Sequence, residues 1–475
     1  MLIGGQEVSS DIAPIISINP ATGKENHRVA AAGPEEVNRA VLVATEASVN
    51  PSWRSMLPPQ RARILGRIAE LMERDSDAIA NIQMMENGKV WRECAAQVKS
   101  AAATFRYYAA VCEVTGSDVT PPRGDYLSLV AHEPYGVIAA ITPWNSPLTM
   151  EAQKVAPALA AGNAVVLKPS EITPSTALAL GRIALEAGLP AGLLNVLPGT
   201  GVTGAELVSH PGVRMVSFTG GTDSGRRIAE VAARKLMPVA LELGGKSPHI
   251  VFNDADLDAA AQAVAEGIFE GSGQSCVAGS RLFVQRGASE RLVDKLVSIA
   301  SALKVDLPDV KGAQMGPLAS FPHRDRVAQM VEMALGDGAK ILTGGMRPSA
   351  PALQAGAYYQ PTIIGGIDNS ARIAQQEIFG PVLCVLEFDD EEDLIRQAND
   401  TAFGLASGVW TADYRRAWRV ARALQAGTVW INTYKQLSIA TPFGGFKDSG
   451  LGREKGVNGM RLYQQPKGIY FGMTS

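Results

Sequence analysis

The feature that most constrains the fold is an alternation of short apolar runs and helical patterns between Gly136 and Phe252. Four runs of strand length lie there, at Val137–Ile141, Ala164–Leu167, Leu194–Leu197 and Met215–Phe218. Helical patterns open between and after them, near Thr149, Pro174, Val202 and Thr222. Repeated strand–helix–strand units bring their strands side by side and parallel, with helices covering both faces. The segment therefore predicts an α/β fold built on a doubly wound sheet.

The chain on either side of this segment predicts further units. Three helices are expected before it, opening at Pro34, at Pro58 with a run to about Met85, and at Glu93 with a run to Val114. From Asp256 a second series predicts another α/β domain, with a helix to Phe269, helices at Ser289–Leu303 and Arg324–Leu335, and strands at Arg281–Val284, Val382–Leu386, Gly408–Trp410 and Thr428–Ile431. The patterns at Tyr126–Val130 and Gly459–Tyr470 predict extended arms that pair with each other.

Length and charge exclude several classes of partner. A chain of 475 residues is expected to form roughly two to four domains. Its net charge of −3 gives no electrostatic attraction for a polyanion, so nucleic acid is not an expected partner. The longest nearly uncharged stretch, Val155 to Leu167, is shorter than the roughly 20 residues of a spanning helix, so no membrane partner is expected. The first ten residues, Met1–Ser10, have no basic region typical of a secretion signal.

The cysteines indicate a reducing compartment. The sequence has four of them, at Cys94, Cys112, Cys276 and Cys384, without a C-x-x-C pair, and its five histidines are scattered. This pattern fits neither a disulfide framework nor a metal site, so we expect no metal and a cytoplasmic location. Three of the thiols lie in apolar or alanine-rich surroundings typical of inert core cysteines. Cys276 differs because Gly271, Gly273 and Gly279 surround it, which indicates a tight backbone.

Two glycine loops and a charged strand end indicate a dinucleotide site. Gly199–Gly204 reads G-x-G-x-x-G between a strand and a helix, and Phe218–Gly225 is a second loop at the next strand–helix junction. The acidic residue that a ribose needs is found in Lys168-Pro169-Ser170-Glu171, at the carboxyl end of a strand, where doubly wound sheets bind ligands. For either loop alone, simple capping of the following helix is an equal alternative.

Further motifs occur in a fixed order along the chain. They are Asn19-Pro20-Ala21-Thr22-Gly23, Thr142-Pro143-Trp144-Asn145, Leu241-Glu242-Leu243-Gly244-Gly245-Lys246-Ser247-Pro248, Gly273-Gln274-Ser275-Cys276-Val277-Ala278-Gly279-Ser280, Glu377-Ile378-Phe379-Gly380-Pro381 and Pro442-Phe443-Gly444-Gly445-Phe446-Lys447-Asp448-Ser449-Gly450. Over nearly its whole length the chain thereby resembles the NAD(P)-dependent aldehyde dehydrogenase superfamily. The resemblance implies a Rossmann-like NAD-binding domain (1–116 and 136–244), a catalytic domain (245–445) and a small β oligomerisation arm (117–135 and 459–475). A homodimer or homotetramer is the expected assembly.

The resemblance also implies the chemistry. An aldehyde carbon loses hydride readily only after a nucleophile has added to it, and a thiolate suits this step because the resulting thioester is easily hydrolysed. By resemblance Cys276 is the nucleophile, and the Asn145 amide with the Cys276 backbone N–H forms the oxyanion hole. Glu242 activates the hydrolytic water. Taken without the resemblance, Asn145 fits an Asx turn after Pro143 and Glu242 fits a surface group.

The resemblance assigns the cofactor contacts as well. Lys168 and Glu171 would hold the adenosine ribose, and Glu377 the nicotinamide ribose. The expected cofactor-binding residues are Thr142, Trp144, Lys168, Ser170, Glu171, Gly201, Phe218, Gly220, Gly221, Ser224, Leu243, Glu377 and Phe379. Gly220, Gly221 and the following helix N-terminus would face the pyrophosphate. The Glu171 carboxylate repels a 2′-phosphate, so NAD is the expected cofactor, with NADP less favoured because Lys168 is close by.

Three departures from the family's pattern bear on affinity and substrate. Gly221 stands where the family often has serine, which removes a hydroxyl donor to phosphate. Gln465 stands where many relatives have glutamate, so no second carboxylate is expected near the site. The residues expected in the access tunnel are Ser146, Met150, Gln153, Lys435, Leu437 and Phe443, and several are small or polar where relatives that act on small aldehydes are aromatic. This predicts a small-molecule aldehyde that is bulky or polar, with a semialdehyde carboxylate near Lys435 favoured.

Alternatives remain open from the sequence. Lys435 could be a solvated surface lysine that points away from the tunnel. An acylating enzyme that passes the thioester to coenzyme A is the nearest alternative reaction, but that branch of the family typically lacks the glutamate found here at Glu242. A catalytically silent relative is the third alternative. Such a protein would be free to lose its site residues, yet the chain retains Cys276, Asn145, Glu242, Lys168 and Glu377.

Overall fold

The computed structural model describes residues 1–473, so positions 474 and 475 of the predicted arm 459–475 lie outside the described residues. Many of the helices begin with proline, serine or threonine in the first turn or at the N-cap. The helices are α1 (Pro34–Val49), α2 (Pro51–Arg54), α3 (Pro58–Arg74), α4 (Ser76–Asn87), α5 (Trp91–Val114), α6 (Pro147–Ala160), α7 (Ser175–Glu186), α8 (Gly201–Ser209), α9 (Thr222–Lys235), α10 (Leu257–Phe269), α11 (Arg286–Ala302), α12 (Phe321–Gly336), α13 (Arg372–Gln375), α14 (Glu391–Asn399), α15 (Tyr414–Ala423) and α16 (Gly456–Arg461).

The strands fall into two large sheets and three small ones. They are β1 (Leu2–Ile3), β2 (Gln6–Glu7), β3 (Ile15–Ile18), β4 (Glu25–Val29), β5 (Asp118–Val119), β6 (Tyr126–Pro134), β7 (Val137–Ile141), β8 (Ala164–Lys168), β9 (Leu194–Val196), β10 (Met215–Thr219), β11 (Val239–Glu242), β12 (Pro248–Val251), β13 (Arg281–Gln285), β14 (Lys340–Thr343), β15 (Thr362–Gly365), β16 (Val382–Phe388), β17 (Phe403–Gly404), β18 (Ala406–Trp410), β19 (Thr428–Ile431), β20 (Phe446–Lys447), β21 (Gly450–Leu451) and β22 (Gln464–Gly472).

The first large sheet has the order β2-β1-β9-β8-β7-β10-β11-β21. Its five central strands are parallel, in the order β9, β8, β7, β10 and β11 across the sheet. Of these, β7 and β8 are buried along their whole length. This confirms the doubly wound α/β fold that the alternation predicted, and it adds β11 as a further parallel strand. The chain runs outward in one direction from β7 through β8 to β9, then returns to place β10 on the other side of β7. A crevice forms at the carboxyl ends of β7 and β10, where such sheets bind ligands.

The second large sheet has the order β14-β15-β16-β13-β12-β18-β19 and is parallel except for β14. The strands predicted in this half are present, and β12, β14 and β15 with helices α14 and α15 were missed. Residues 243–247 join β11 of the first sheet directly to β12 of the second. The two sheets therefore meet at the end of β11.

The C-terminal strand β22 pairs antiparallel with β6 over nine positions, from Gln464 opposite Pro134 to Gly472 opposite Tyr126. This confirms the predicted pairing of the two arms, in a sheet of order β22-β6-β5. The prediction that residues 459–463 are also extended was wrong, because Gly456–Arg461 forms helix α16. Gly459 allows this helix to approach α5, since a Cβ there would collide with the Tyr108 hydroxyl.

The long helix predicted from Pro58 to about Met85 is two helices. Asp75, with φ −98° and ψ 15°, separates α3 from α4. The Arg74 guanidinium pairs with the Asp75 carboxylate there and with Glu186 at the end of α7. The change of direction lets both helices pack against α5, which a straight helix of this length could not do. No helix within residues 1–473 is long and apolar enough to cross a membrane.

Candidate active site

Cys276, Glu242 and Asn145 come together where the two large sheets meet. Asn145 follows β7, Glu242 is the last residue of β11, and Cys276 lies in the loop between a 3-10 turn at Glu270–Gly273 and β13. Gly245 packs directly against this loop, since a Cβ there would collide with the Cys276 carbonyl oxygen. The connection from the first sheet to the second therefore passes beside the thiol.

An unusual turn positions the thiol. Three successive residues, Gly271, Ser272 and Gly273, have φ of 65°, 57° and 70°, a region that favours glycine. The Gly271 N–H donates to the Glu93 carboxylate at 3.1 Å, and the Ser272 hydroxyl donates to the Gly316 carbonyl at 2.9 Å. A Cβ at Gly273 would collide with the backbone at Gly380. Side chains and backbone from other elements thus hold the turn that leads to Cys276.

The Cys276 side chain is largely screened from solvent, and its thiol is hard to ionise. Burial raises its pKa to about 12, and the nearby carboxylates of Glu377 and Glu242 add to the effect, while the Lys455 ammonium opposes it. The sulfur is therefore a neutral thiol at neutral pH and needs a base before it can act as a nucleophile. The other three cysteines are buried, as predicted for core thiols.

Asn145 is tied to the loop of the nucleophile. Its Nδ2 donates to the Gln274 carbonyl at 2.9 Å, two residues before Cys276. The amide group has two N–H donors, so one remains for another acceptor. This contact joins the end of β7 to the thiol's loop, which an Asx turn within residues 143–147 would not do.

Glu242 is a buried carboxylate at the end of β11. Its residue is 5% exposed, so it is not a surface group. Neither of its carboxylate oxygens has a partner among residues 1–473. Burial and the neighbouring Glu454 carboxylate raise the pKa of Glu242 well above its ordinary value, against the opposing charges of Lys154, Arg453 and Lys455. A carboxylate with raised proton affinity in a cleft is typical of a general base.

A buried ion pair lies behind Glu242. Lys154 Nζ is 2.6 Å from Glu454 Oε1 and 3.2 Å from the Ser217 hydroxyl. The Tyr463 hydroxyl donates to Ser217 at 2.9 Å. The expectation that no second carboxylate lies near the site was wrong. Gln465 is exposed on β22, whereas Glu454 reaches the site because its backbone pairs with that of Phe443 beside β11.

The expected pyrophosphate end of the site lies at the carboxyl ends of β7 and β10. The hydroxyls of Thr142, Thr219 and Thr222 are buried there without hydrogen-bond partners among the described residues. Gly221 is the N-cap of α9, and a Cβ at this position would meet no atom within 4 Å. Free hydroxyl donors beside an open helix N-terminus suit a phosphate group. Ser224 is exposed on the first turn of the same helix.

The expected adenosine end of the site lies at the carboxyl end of β8. Lys168 Nζ donates to the Pro169 carbonyl at 3.0 Å and lies 3.7 Å from Glu171 Oε2. Burial lowers the pKa of Lys168. The Glu171 side chain is 50% exposed, so its carboxylate is accessible at the rim. Ser170 accepts a hydrogen bond from the Ile172 N–H, and Gly201 begins α8 nearby.

The expected nicotinamide end lies near the thiol. Glu377 Oε1 accepts a hydrogen bond from the Gly245 N–H at 3.0 Å, and burial raises the pKa of Glu377. Phe379 has a φ of 57° and packs edge-on against the Trp144 ring, with 5.3 Å between the centroids. A carboxylate and an aromatic ring therefore stand close to the loop that carries Cys276.

Three of the expected cofactor residues form the floor of the crevice. Phe218 lies under Gly220, where a Cβ would collide with the ring. The Gly220 N–H donates to the Glu242 carbonyl at 3.0 Å, which ties the second glycine loop to β11. Leu243 packs closely against Gly225 of α9, since a Cβ at Gly225 would collide with the Leu243 side chain.

The residues expected in the access tunnel have mixed environments. The Ser146 hydroxyl accepts a hydrogen bond from Gln97 of α5 at 3.1 Å, and Phe443 packs against the same hydrophobic cluster as Cys276. Gln153 is buried within α6, whereas Leu437 is exposed and Met150 half-buried. The predicted tunnel residues therefore range from buried to exposed.

Lys435 is already engaged within the protein. Its Nζ donates to the Glu266 carbonyl at 3.1 Å and lies 3.8 Å from Glu270 Oε2. The side chain is 18% exposed, and burial lowers its pKa. Lys435 is therefore neither a solvated surface lysine nor a cation without a partner.

Lys154, Glu454 and Lys455 were not identified from the sequence. Lys154 is a charge in the otherwise mostly apolar α6, which is the signal that could have marked it as buried and paired. Glu454 and Lys455 lie in the glycine-rich stretch 444–456, and nothing local connects them with Cys276.

Known proteins are similar to this chain over nearly its whole length. A sequence profile described as the aldehyde dehydrogenase family matches residues 8–469. The betaine aldehyde dehydrogenase of Bacillus subtilis (strain 168) is 41% identical over 473 residues, which cover 99% of this chain and 96% of that protein. The (Z)-2-((N-methylformamido)methylene)-5-hydroxybutyrolactone dehydrogenase of Acinetobacter baylyi is 41% identical over 462 residues, covering 96% of this chain and 94% of that protein.

Solved structures are also similar to this chain. The crystal structure of betaine aldehyde dehydrogenase from Staphylococcus aureus in complex with NAD⁺ has a TM-score of 0.98 and 36% sequence identity, and the match covers 100% of this chain and 95% of that one. The NAD⁺ complex of aldehyde dehydrogenase from Bacillus cereus has a TM-score of 0.97 and 38% sequence identity, and the match covers 100% of this chain and 96% of that one.

Proposed function

Since this chain belongs to the aldehyde dehydrogenase family, we propose that Cys276, Glu242 and Asn145 are the residues that carry out its reaction. The protein is an oxidoreductase that oxidises an aldehyde to a carboxylic acid with NAD⁺. The observation that best supports these roles is the buried Glu242 carboxylate, which has no hydrogen-bond partner within residues 1–473 and lies close to a thiol whose loop is bonded to Asn145.

In the first half of the reaction, the Cys276 thiol gives up its proton to a base, and its sulfur bonds to the aldehyde carbon. The carbonyl oxygen becomes an oxyanion, which accepts hydrogen bonds from Asn145 Nδ2 and the Cys276 N–H. NAD⁺, when bound, supplies the hydride acceptor. Loss of the hydride from the former aldehyde carbon leaves a thioester on Cys276.

In the second half, Glu242 removes a proton from water, and the water oxygen attacks the thioester carbon. The carbon–sulfur bond breaks, the thiolate leaves, and the carboxylic acid is released. The raised pKa of Glu242 suits this role because a general base works best when its pKa is near the working pH. The same carboxylate argues against transfer of the thioester to coenzyme A.

For the cofactor, we assign Lys168 and Glu171 to the adenosine ribose, and Gly221 with the N-terminus of α9 to the pyrophosphate. Glu377 is assigned to the nicotinamide ribose. The accessible carboxylate of Glu171 favours NAD over NADP because it would repel a 2′-phosphate.

The proposed substrate is a polar aldehyde, with a semialdehyde favoured. Betaine aldehyde is the second candidate, because it gives several of the relatives their names. A quaternary ammonium is typically bound by several aromatic rings. Phe443 is the one aromatic residue among the six predicted tunnel positions, and the Lys455 ammonium already lies 5.0 Å from its ring centroid. A second cation at that ring would be repelled, which favours the semialdehyde.

The proposed assembly is a homodimer or homotetramer. β22 is a nine-residue strand at the edge of its sheet, and such edges pair readily with another chain. The four free thiols support a cytoplasmic location, where cysteines stay reduced.

The experiment that tests the proposed function is Cys276→Ala. The variant should lose NADH formation with every aldehyde, because no sulfur remains to form the adduct, and it should still bind NAD⁺ in calorimetry. Cys112→Ala removes a thiol from α5 and serves as the matched control, with a rate within about threefold of the wild type. A substantial residual rate in the Cys276 variant would remove this residue from the mechanism.

A further inference from the structure

Lys455 is a buried lysine in a strained backbone conformation. It is 6% exposed, and its φ of 62° and ψ of 175° belong to a region that is nearly restricted to glycine. Strained residues persist where the surrounding structure enforces them, and they cluster at functional sites. Here Lys455 is the N-cap of α16 and follows Glu454, whose N–H and C=O both bond to Phe443 at 2.8 Å.

The ammonium of Lys455 lies beside the nucleophile. Its Nζ is 5.0 Å from the centroid of the Phe443 ring, and Phe443 and Cys276 pack against the same hydrophobic cluster, which includes Leu405 and Tyr434. Burial lowers the pKa of Lys455, while the charges of Glu454, Cys276 and Glu242 act against this shift, so all three groups are close to it. The cation therefore borders the space in which an aldehyde must sit to reach the thiol.

The Lys455 ammonium has no direct partner within residues 1–473, although the charges of Glu454 and Glu242 are close to it. Lys455 Nζ has no hydrogen bond or ion pair there, and the nearest acid in sequence, Glu454, is bonded to Lys154. Lys435 differs in this respect, because it has both a carbonyl and a carboxylate close by. A largely dehydrated ammonium with no partner has a strong tendency to bind an incoming anion.

We propose that Lys455 binds the carboxylate of the substrate and is the residue that selects semialdehydes over neutral aldehydes. This inference rests on the proposed function, because it takes Cys276 as the point where the aldehyde carbon is held. Lys455 replaces Lys435 as the proposed partner of the substrate carboxylate. A trimethylammonium substrate would instead be repelled by the same charge.

The test compares carboxylate-bearing and neutral aldehydes of equal length. Succinic and adipic semialdehydes are paired with butanal and hexanal, and kcat/KM is measured for wild type, Lys455→Met and Lys455→Arg. For at least one pair, Lys455→Met should lower the ratio of semialdehyde to alkanal kcat/KM about thirtyfold, mainly through KM. Lys455→Arg should keep a large part of the ratio because it retains the cation.

Lys447→Met is the matched control. Lys447 is also a lysine with a positive φ, 49°, but its ammonium bonds to the carbonyls of Asn399 and Thr401. Its removal should leave the ratio unchanged. Thermal unfolding of each variant confirms that the fold is retained.

Several outcomes would overturn the proposal. An equal fall with semialdehydes and alkanals, together with a shifted pH profile for alkylation of Cys276 by iodoacetamide, would mean that Lys455 acts on the thiol. A ratio that responds to Lys435→Met and not to Lys455→Met would assign the carboxylate to Lys435. In both cases the wild type still oxidises aldehydes, whereas failure of the proposed function would show as no NADH from any aldehyde.

Discussion

At the scale of single residues, the site depends on two buried carboxylates, of which one is paired with a cation. Glu242 has no hydrogen-bond partner on its carboxylate within residues 1–473, while the Glu454 carboxylate close to it is bonded to Lys154. One buried carboxylate is thus neutralised by a lysine, and the other is left with a raised proton affinity. The pairing of Glu454 therefore helps to decide which carboxylate is available as a base.

Glu242→Gln tests this division at the water step. The variant should form roughly one NADH per active site in a first burst and then turn over at least about a hundredfold more slowly, because the amide cannot take a proton from water. Stopped-flow absorbance of NADH measures both phases.

The burst amplitude is the safer quantity in this experiment, since Glu242 could also take the proton from Cys276 and so change the burst rate. Glu392→Gln, an exposed position on α14, should behave as the wild type. Unchanged steady-state turnover in Glu242→Gln would show that another group activates the water.

At the scale of elements, α6 carries buried ionisable side chains on two sides. Lys154 pairs with Glu454 behind the active site. Glu151, one turn earlier, is fully buried against α7, where its Oε1 accepts a hydrogen bond from the Thr176 hydroxyl at 3.0 Å. Burial raises the pKa of Glu151 from 4.5 to about 8, and the nearby Glu86 adds to the effect. The Glu151 side chain is therefore protonated in the folded protein at neutral pH.

Glu151 makes the free energy of unfolding depend on pH. Its pKa is higher in the folded than in the unfolded chain. The stability that Glu151 contributes is therefore fully present below the unfolded pKa of 4.5 and is lost as pH rises through about 8. Glu151→Gln removes this dependence. The melting temperature of the variant relative to the wild type should rise between about pH 5 and pH 8 and then level off.

The matched control for this measurement is Glu186→Gln, at the other end of α7. Arg74 lowers the pKa of the exposed Glu186, so this carboxylate contributes its stability above its unfolded pKa, with the opposite sign. A difference between Glu151→Gln and the wild type that does not change with pH would mean that Glu151 ionises normally in the folded protein.

At the scale of the whole molecule, two parallel sheets meet at one site, and a separate sheet carries an open edge. β22 covers β6 on one side and leaves its other edge unpaired within the described chain. Tyr470 and Phe471 on this strand are 69% and 51% exposed. Large apolar side chains on an exposed strand edge are typical of an interface.

Phe471→Asp should disrupt the proposed assembly. Burying a carboxylate without a partner in an interface is costly, so the variant should elute as a smaller species in size-exclusion chromatography with light scattering. Leu236→Asp provides the matched control, because Leu236 is 93% exposed at the end of α9, away from β22. If Phe471→Asp assembles like the wild type, the contact between subunits lies elsewhere.

The sequence by itself determined the elements whose formation depends only on residues adjacent in the chain. Strands β7 and β19 have the predicted bounds, because a run of apolar residues between turn signals is a local property. The order of the motifs was sufficient to identify the family, and with it the expected nucleophile. The pairing of β6 with β22 was also predictable, since both segments alternate outside the two α/β series.

Only the tertiary structure decided which charges surround the thiol. Lys154 and Glu454 are 300 residues apart in sequence, and they meet because the backbone of Glu454 pairs with Phe443 beside β11. The local pattern around Gly459 indicated a strand, yet α16 forms because a glycine there fits against Tyr108 of α5. Likewise, the partners of Lys435 follow from packing between distant segments, as does the absence of a hydrogen bond or ion pair at Lys455 Nζ within residues 1–473. No local pattern encodes such packing.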